Sequence, residues 1–156
     1  MRHVSYRLGW LIVVLAAGWA APVAAAPETE IPSPERQVWL YCAEGHQRQG
    51  EQRYAEAVTA YRRALKINPH QPETLSRISA CYQAMKEYRK AVDYAQQALR
   101  LNPRMAEARE ALGEAYVQLG KIEQAREQYV ILLTLDLDRA GKLKEALDAH
   151  AARAGR

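Results

Sequence analysis

Residues 54–69 read YAEAVTAYRRALKINP, and residues 88–103 read YRKAVDYAQQALRLNP. The offset between them is 34 residues. It places Tyr54 on Tyr88, Ala57 on Ala91, Tyr61 on Ala95, Ala64 on Ala98 and Pro69 on Pro103. A third copy, residues 122–137, reads IEQAREQYVILLTLDL and keeps Ala125, Tyr129 and Leu132, with Leu137 at the place of the proline. The stretches upstream repeat as well: Tyr41 and Gly45; Leu75, Ile78 and Tyr82; Leu112, Gly113 and Tyr116. Repetition at this period means supersecondary units stacked in a row, each burying the face of its neighbour, rather than one globular core.

Each unit reads as a pair of helices. The first has a helix over 35–49, a turn at Gly50-Glu51-Gln52, and a helix over 53–67 stopped by Asn68-Pro69. A residue before proline is pushed out of the α region, so Asn-Pro ends a helix. The second unit gives helices over 72–84 and 87–101, stopped by Asn102-Pro103. The third gives 105–118, a turn at Gly120, and 122–135. From Asp138, Leu143, Ala146 and Leu147 share one face, as in a closing helix over 139–151 with Asp138 as its N-cap. Residues 152–156 are expected to fray. Small residues (Gly45, Ala57, Ala64, Ala91, Ala98, Gly113, Ala125) mark where helix axes approach closely. Hydrophobic residues make up 49% of the 156-residue chain, enough for a core, and no segment after residue 35 alternates as strands do.

The N-terminus is organised differently. Arg2, His3 and Arg7 precede an apolar run, LGWLIVVLAAGWAA, over residues 8–21, which Pro22 breaks and small residues follow. That layout predicts a secretory signal peptide over residues 1–25, cleaved after Ala25, with residues 26–34 (APETEIPSP) as a proline-rich tether. A retained membrane anchor is the alternative, against which the run is short of the roughly 20 residues needed to span. Loss of Arg2 and Arg7 would halve the formal charge from +4 to +2. With acids and bases interleaved, that balance gives no reason to expect nucleic acid. After cleavage, no stable membrane insertion is expected. The implied location is the bacterial periplasm.

The repeat resembles the tetratricopeptide-repeat family, whose pattern is an aromatic, a Leu-Gly pair, a Tyr, then Ala, an aromatic, Ala and a late Pro. The resemblance covers residues 38–139, as units 38–71, 72–105 and 106–139. It is closest at Leu112, Gly113, Tyr116 and Gly120, and at Tyr54, Ala57, Tyr61, Ala64 and Pro69. Departures are Glu44, Arg48, Ser79, Arg109 and Leu137. The polar replacements in the first helix imply an exposed edge helix. The resemblance implies an all-α solenoid of three helix-turn-helix units, domain 35–151, with the capping helix closing it. It also implies a concave groove lined by the first helix of each unit.

The family's i, i+3, i+7, i+10, i+11 pattern nominates Trp39, Cys42, His46 and Gln49 from the first unit. It nominates Glu73, Ser76 and Gln83 from the second, and Glu107, Glu110, Glu114 and Gln118 from the third. A groove so acidic favours a basic or polar partner segment. The Lys and Asn side chains by which some members clamp a C-terminal carboxylate are missing; Cys42, His46, Glu110 and Glu114 stand at comparable places. Trp39 is expected to pack the N-terminal edge, with anchoring of a ligand chain as the alternative.

Chemistry is sparse. Cys42 and His46 share a helix face, but no second Cys/His pair completes a zinc site, and neither a catalytic nor a metal role is expected. Cys81 reads as a packing residue, and a Cys42–Cys81 bridge stays open. No phosphate loop or triad is present, so no enzyme and no cofactor are implied. The leading expectation is a protein–protein interaction scaffold in the cell envelope. A self-associating assembly module and an accessory chaperone subunit for envelope assembly or cofactor insertion are the alternatives.

Overall fold

The computed structural model describes residues 31–155, and among them the chain is entirely helical. Seven helices follow in order: α1 (Pro34–Gly50), α2 (Tyr54–Ile67), α3 (Pro72–Ala84), α4 (Tyr88–Leu101), α5 (Ala106–Gln118), α6 (Ile122–Leu135) and α7 (Leu137–Ala154). The leader and cleavage site expected in residues 1–25 lie outside the described residues. None of the helices described is long and apolar enough to cross a membrane.

Local chemistry sets the ends. Ser33 caps α1 by accepting from the Arg36 amide at 3.3 Å, with Pro34 at the first helical position, where its missing N–H costs nothing. Asn68 and Asn102 are extended and end α2 and α4 ahead of their prolines. The hairpin turns repeat at the same period as the sequence. Gln52, Lys86 and Gly120 all sit at left-handed φ (61°, 60° and 71°), and Gly50 is simply the last residue of α1. Behind each, an amide reaches back to a helix carbonyl: Arg53 to Arg48 (2.8 Å), Glu87 to Tyr82 (2.9 Å) and Lys121 to Tyr116 (2.9 Å). These bonds satisfy carbonyls that a helix end would otherwise leave unpaired. The N-cap of α7 is Asp136, which accepts from the Arg139 amide at 3.1 Å, rather than Asp138, because α6 stops at Leu135 and α7 follows at once.

The helices pair as hairpins, α1 with α2, α3 with α4 and α5 with α6, and consecutive hairpins stack. Helices α3, α5 and α7 also pack side by side, whereas α2, α4 and α6 are held further apart. Tight spacing in one layer and splay in the other curve the array, with the α1–α3–α5–α7 layer on the concave side. Ala57, Ala64, Ala91, Ala98 and Ala125 are fully buried at the contacts. A Cβ on Gly45 would lie 2.4 Å from the Tyr61 ring, and one on Gly113 would lie 2.4 Å from Leu143 Cδ2. The departures from the repeat pattern are also accommodated. Ser79 donates to the Ala91 carbonyl at 2.8 Å inside the core, and Arg109 reaches the Pro103 carbonyl and, at 3.1 Å, Gln128. Helix α1 buries only Gly45, as an edge helix would.

Candidate functional site

The concave face is built from one stripe per inner helix, and burial shows which stripe. On α3, Glu73 and Ala84 are exposed and Arg77 and Ala80 half-buried; on α5, Glu107 and Gln118 are exposed and Glu114 half-buried. On α1, Trp39, His46 and Gly50 are exposed. The stripe therefore runs i, i+4, i+7, i+11, and it closes at Ala111 of α5, which is buried. The same period carries the stripe to Gly141, Glu145 and Asp148 of α7, all exposed.

The i+3 positions, expected in the groove, point instead at the next inner helix. Cys42 Sγ lies 3.5 Å from Thr74 Oγ1 and 3.9 Å from Gln71 Oε1. Ser76, its equivalent on α3, is 1% exposed and unavailable to a ligand. Glu110, the equivalent on α5, is 9% exposed and pairs with Arg139, with Lys142 Nζ at 3.8 Å. Both corrections have one cause. Inner helices lie shoulder to shoulder, so a residue one position off the stripe meets a neighbouring helix rather than solvent. Gln83 does the same, donating to the Ala111 carbonyl at 2.7 Å and lying 3.5 Å from Glu114 Oε2. Gln49 accepts the Tyr61 hydroxyl at 2.9 Å.

Of the remaining nominees, Glu73, Glu107 and Gln118 are open to solvent, and Trp39 is 66% exposed, so it does not pack the edge of this unit. His46 sits edge-on to Tyr61, with ring centroids 5.7 Å apart. Burial and then the nearby Arg77 hold its imidazole below the usual range, which favours the neutral form. Burial and then Glu110 push the Glu114 carboxyl above the usual range. Sequence reasoning missed Arg77, which lies beside Tyr61 and His46 and has no carboxylate within 4 Å among the described residues. Its place four residues after Glu73 was the available signal. The groove is thus mixed, basic around Arg77 and acidic from Glu107 onward. Cys42 and Cys81 are free thiols; Cys81 is fully buried, which raises its pKa to about 11. Among the described residues, no group of three or more His, Cys, Asp or Glu side chains could hold a metal ion.

Residues 50–130, just over half of the chain, match the family model described as "Anaphase-promoting complex, cyclosome, subunit 3". No curated protein sequence matches. Solved structures do. The tetratricopeptide-repeat domain of Sgt2 from Aspergillus fumigatus is 26% identical, with 80% of this chain and 82% of that one covered and a TM-score of 0.67. The first such domain of Spaghetti (RPAP3), bound to the HSP90 peptide SRMEEVD, is 23% identical over 74% of this chain and 94% of that one, at 0.68. The TPR2B domain of yeast Sti1, in a complex with pHsp70, is 16% identical over 76% and 98%, at 0.70. Helices stacked at a 34-residue period, close likeness to these domains and a family model spanning more than half of the sequence agree: the chain belongs to the tetratricopeptide-repeat family, through the region matched by the subunit 3 model.

Proposed function

We propose that this chain is a non-enzymatic interaction scaffold that holds an extended segment of a partner protein in its concave groove. The observation that carries the proposal is the open stripe shared by α3, α5 and α7. Its side chains come from helices locked together by packing, so a ligand would not have to order them. The Spaghetti domain, solved with an HSP90 peptide, and the Sti1 domain, solved in a pHsp70 complex, are similar in fold, and the former supports a peptide as the ligand class. The ligand's charge should differ from that of SRMEEVD. Glu107, Glu114, Glu145 and Asp148 dominate the C-terminal half of the stripe, so a basic or polar segment fits there and an acidic one is repelled. The leader-like residues 1–25 make the bacterial periplasm the proposed site of action.

Affinity capture from a periplasmic extract, read by mass spectrometry, tests this. Glu73→Lys with Glu107→Lys changes two exposed residues that make no ion pair within 4 Å among the described residues, so the melting curve should hold while partner capture is lost. Capture that survives the double reversal would remove the groove as the binding surface. The same spectra should show an N-terminus at Ala26; an intact Met1 form in the membrane would refute cleavage. Self-association is a second reading, favoured by Trp39 (66% exposed) and Leu40 (43% exposed) on α1. It predicts light-scattering masses that rise with concentration and fall for Trp39→Ser.

A further inference from the structure

On the convex side, the splay between α2 and α4 leaves an open trough of about 450 Å³, within the size range of ligand pockets, roughly 300–1,000 Å³. Its floor is apolar: Leu65, the buried Leu75, the half-buried Tyr94 and Leu101, which is 41% exposed. Its rim is basic. Arg62 and Lys66 stand on the α2 wall and Arg100 on the α4 wall. Lys66 and Arg100 occupy the same repeat position in successive outer helices, whereas the next equivalent is Thr134, so this rim position is basic in the first two units and neutral in the third. No Asp or Glu lines it. Among the described residues, no carboxylate lies within 4 Å of any of the three cations. Elsewhere the bases do find acids: Arg53 pairs with Glu56, Lys90 with Glu87 and Lys144 with Asp148.

We propose that this trough is a second binding site, distinct from the concave groove, which takes an acidic peptide segment carrying a bulky apolar side chain between its carboxylates. The floor would bury the apolar side chain, and a small hydrated anion gains nothing from such a floor. Cations on both walls need negative charge on both sides of the anchor. A peptide running along the trough supplies that, whereas a lipid carries its charge at one end only. The recess between two helices also suits a side chain better than a bilayer surface. Unpaired cations on the rim draw the segment in and make the association sensitive to salt.

The test is fluorescence anisotropy of the purified chain with a labelled synthetic peptide in which a central leucine pair is flanked on both sides by glutamates. Binding should saturate and weaken as salt rises. Arg62→Glu with Arg100→Glu should weaken it by about tenfold or more, and Leu101→Ser should also weaken it. Both arginines are exposed and unpaired, so circular dichroism should be unchanged; if the double variant is misfolded, Arg100→Gln alone should still lower affinity. Glu73→Lys with Glu107→Lys should leave this binding intact, which separates failure here from failure of the groove proposal. No saturable binding, equal binding by the charge-reversed chain, or displacement of the peptide by phosphatidylglycerol vesicles would each overturn it.

Discussion

Lys86 holds a backbone conformation, φ 60°, that an L-residue other than glycine enters at a cost of about 1–2 kcal/mol. Gly120 meets the same demand one repeat later without a Cβ. Lys86→Gly should therefore stabilise the chain, by about 0.5–1 kcal/mol after the extra entropy of glycine in the unfolded state is subtracted. Urea denaturation would show this as a higher midpoint at unchanged slope. The opposite sign is expected at Gly113. An alanine Cβ there would meet Leu143 Cδ2 at 2.4 Å, so either the leucine or all of α7 must move. Gly113→Ala should cost about 1–3 kcal/mol, again by urea denaturation. If both substitutions shifted the midpoint the same way, the two backbone environments would have been misjudged.

At the scale of the element, α7 is held by more than apolar contact. Arg139→Leu would leave the nearly buried Glu110 with only the more distant Lys142, at a cost of about 1–3 kcal/mol. The loss should be local. Hydrogen exchange should quicken in α7 and the facing part of α5 and stay unchanged in α1 and α2; a uniform change would mean that the pair supports the whole array. The α7 helix also marks the limit of what sequence reveals. Helices α2 and α4 were legible because tyrosine and alanine recur at fixed offsets and Asn-Pro ends both. Which of Asp136 and Asp138 caps α7 was not, because the choice depends on where α6 stops. Nor was the groove register. Ser76 sits one position from the half-buried Arg77, and only the side-by-side packing of α3, α5 and α7 closes Ser76 off and commits Glu110 to Arg139.

For the molecule as a whole, the 34-residue period was enough to identify the stacked all-α architecture, and the small residues at Gly45 and Gly113 showed where helices meet. The curvature, and with it the trough behind α2 and α4, arises from differences in spacing that no single residue announces. One further property follows from the helix count. Seven described helices cannot be divided evenly between two layers, so the inner layer has four and the outer three. The array therefore has polarity. One end is α1, with Trp39 and Leu40 uncovered; the other is α7, whose exposed side chains include Asp138 and Lys144 besides the groove-lining Glu145 and Asp148. Head-to-tail stacking of copies would press an apolar end against a charged one, and such heterologous contacts are the kind that grow into filaments. Ends this dissimilar work against open-ended polymerisation, whereas a closed pair joined through α1 would bury Trp39 and Leu40 of both copies against each other.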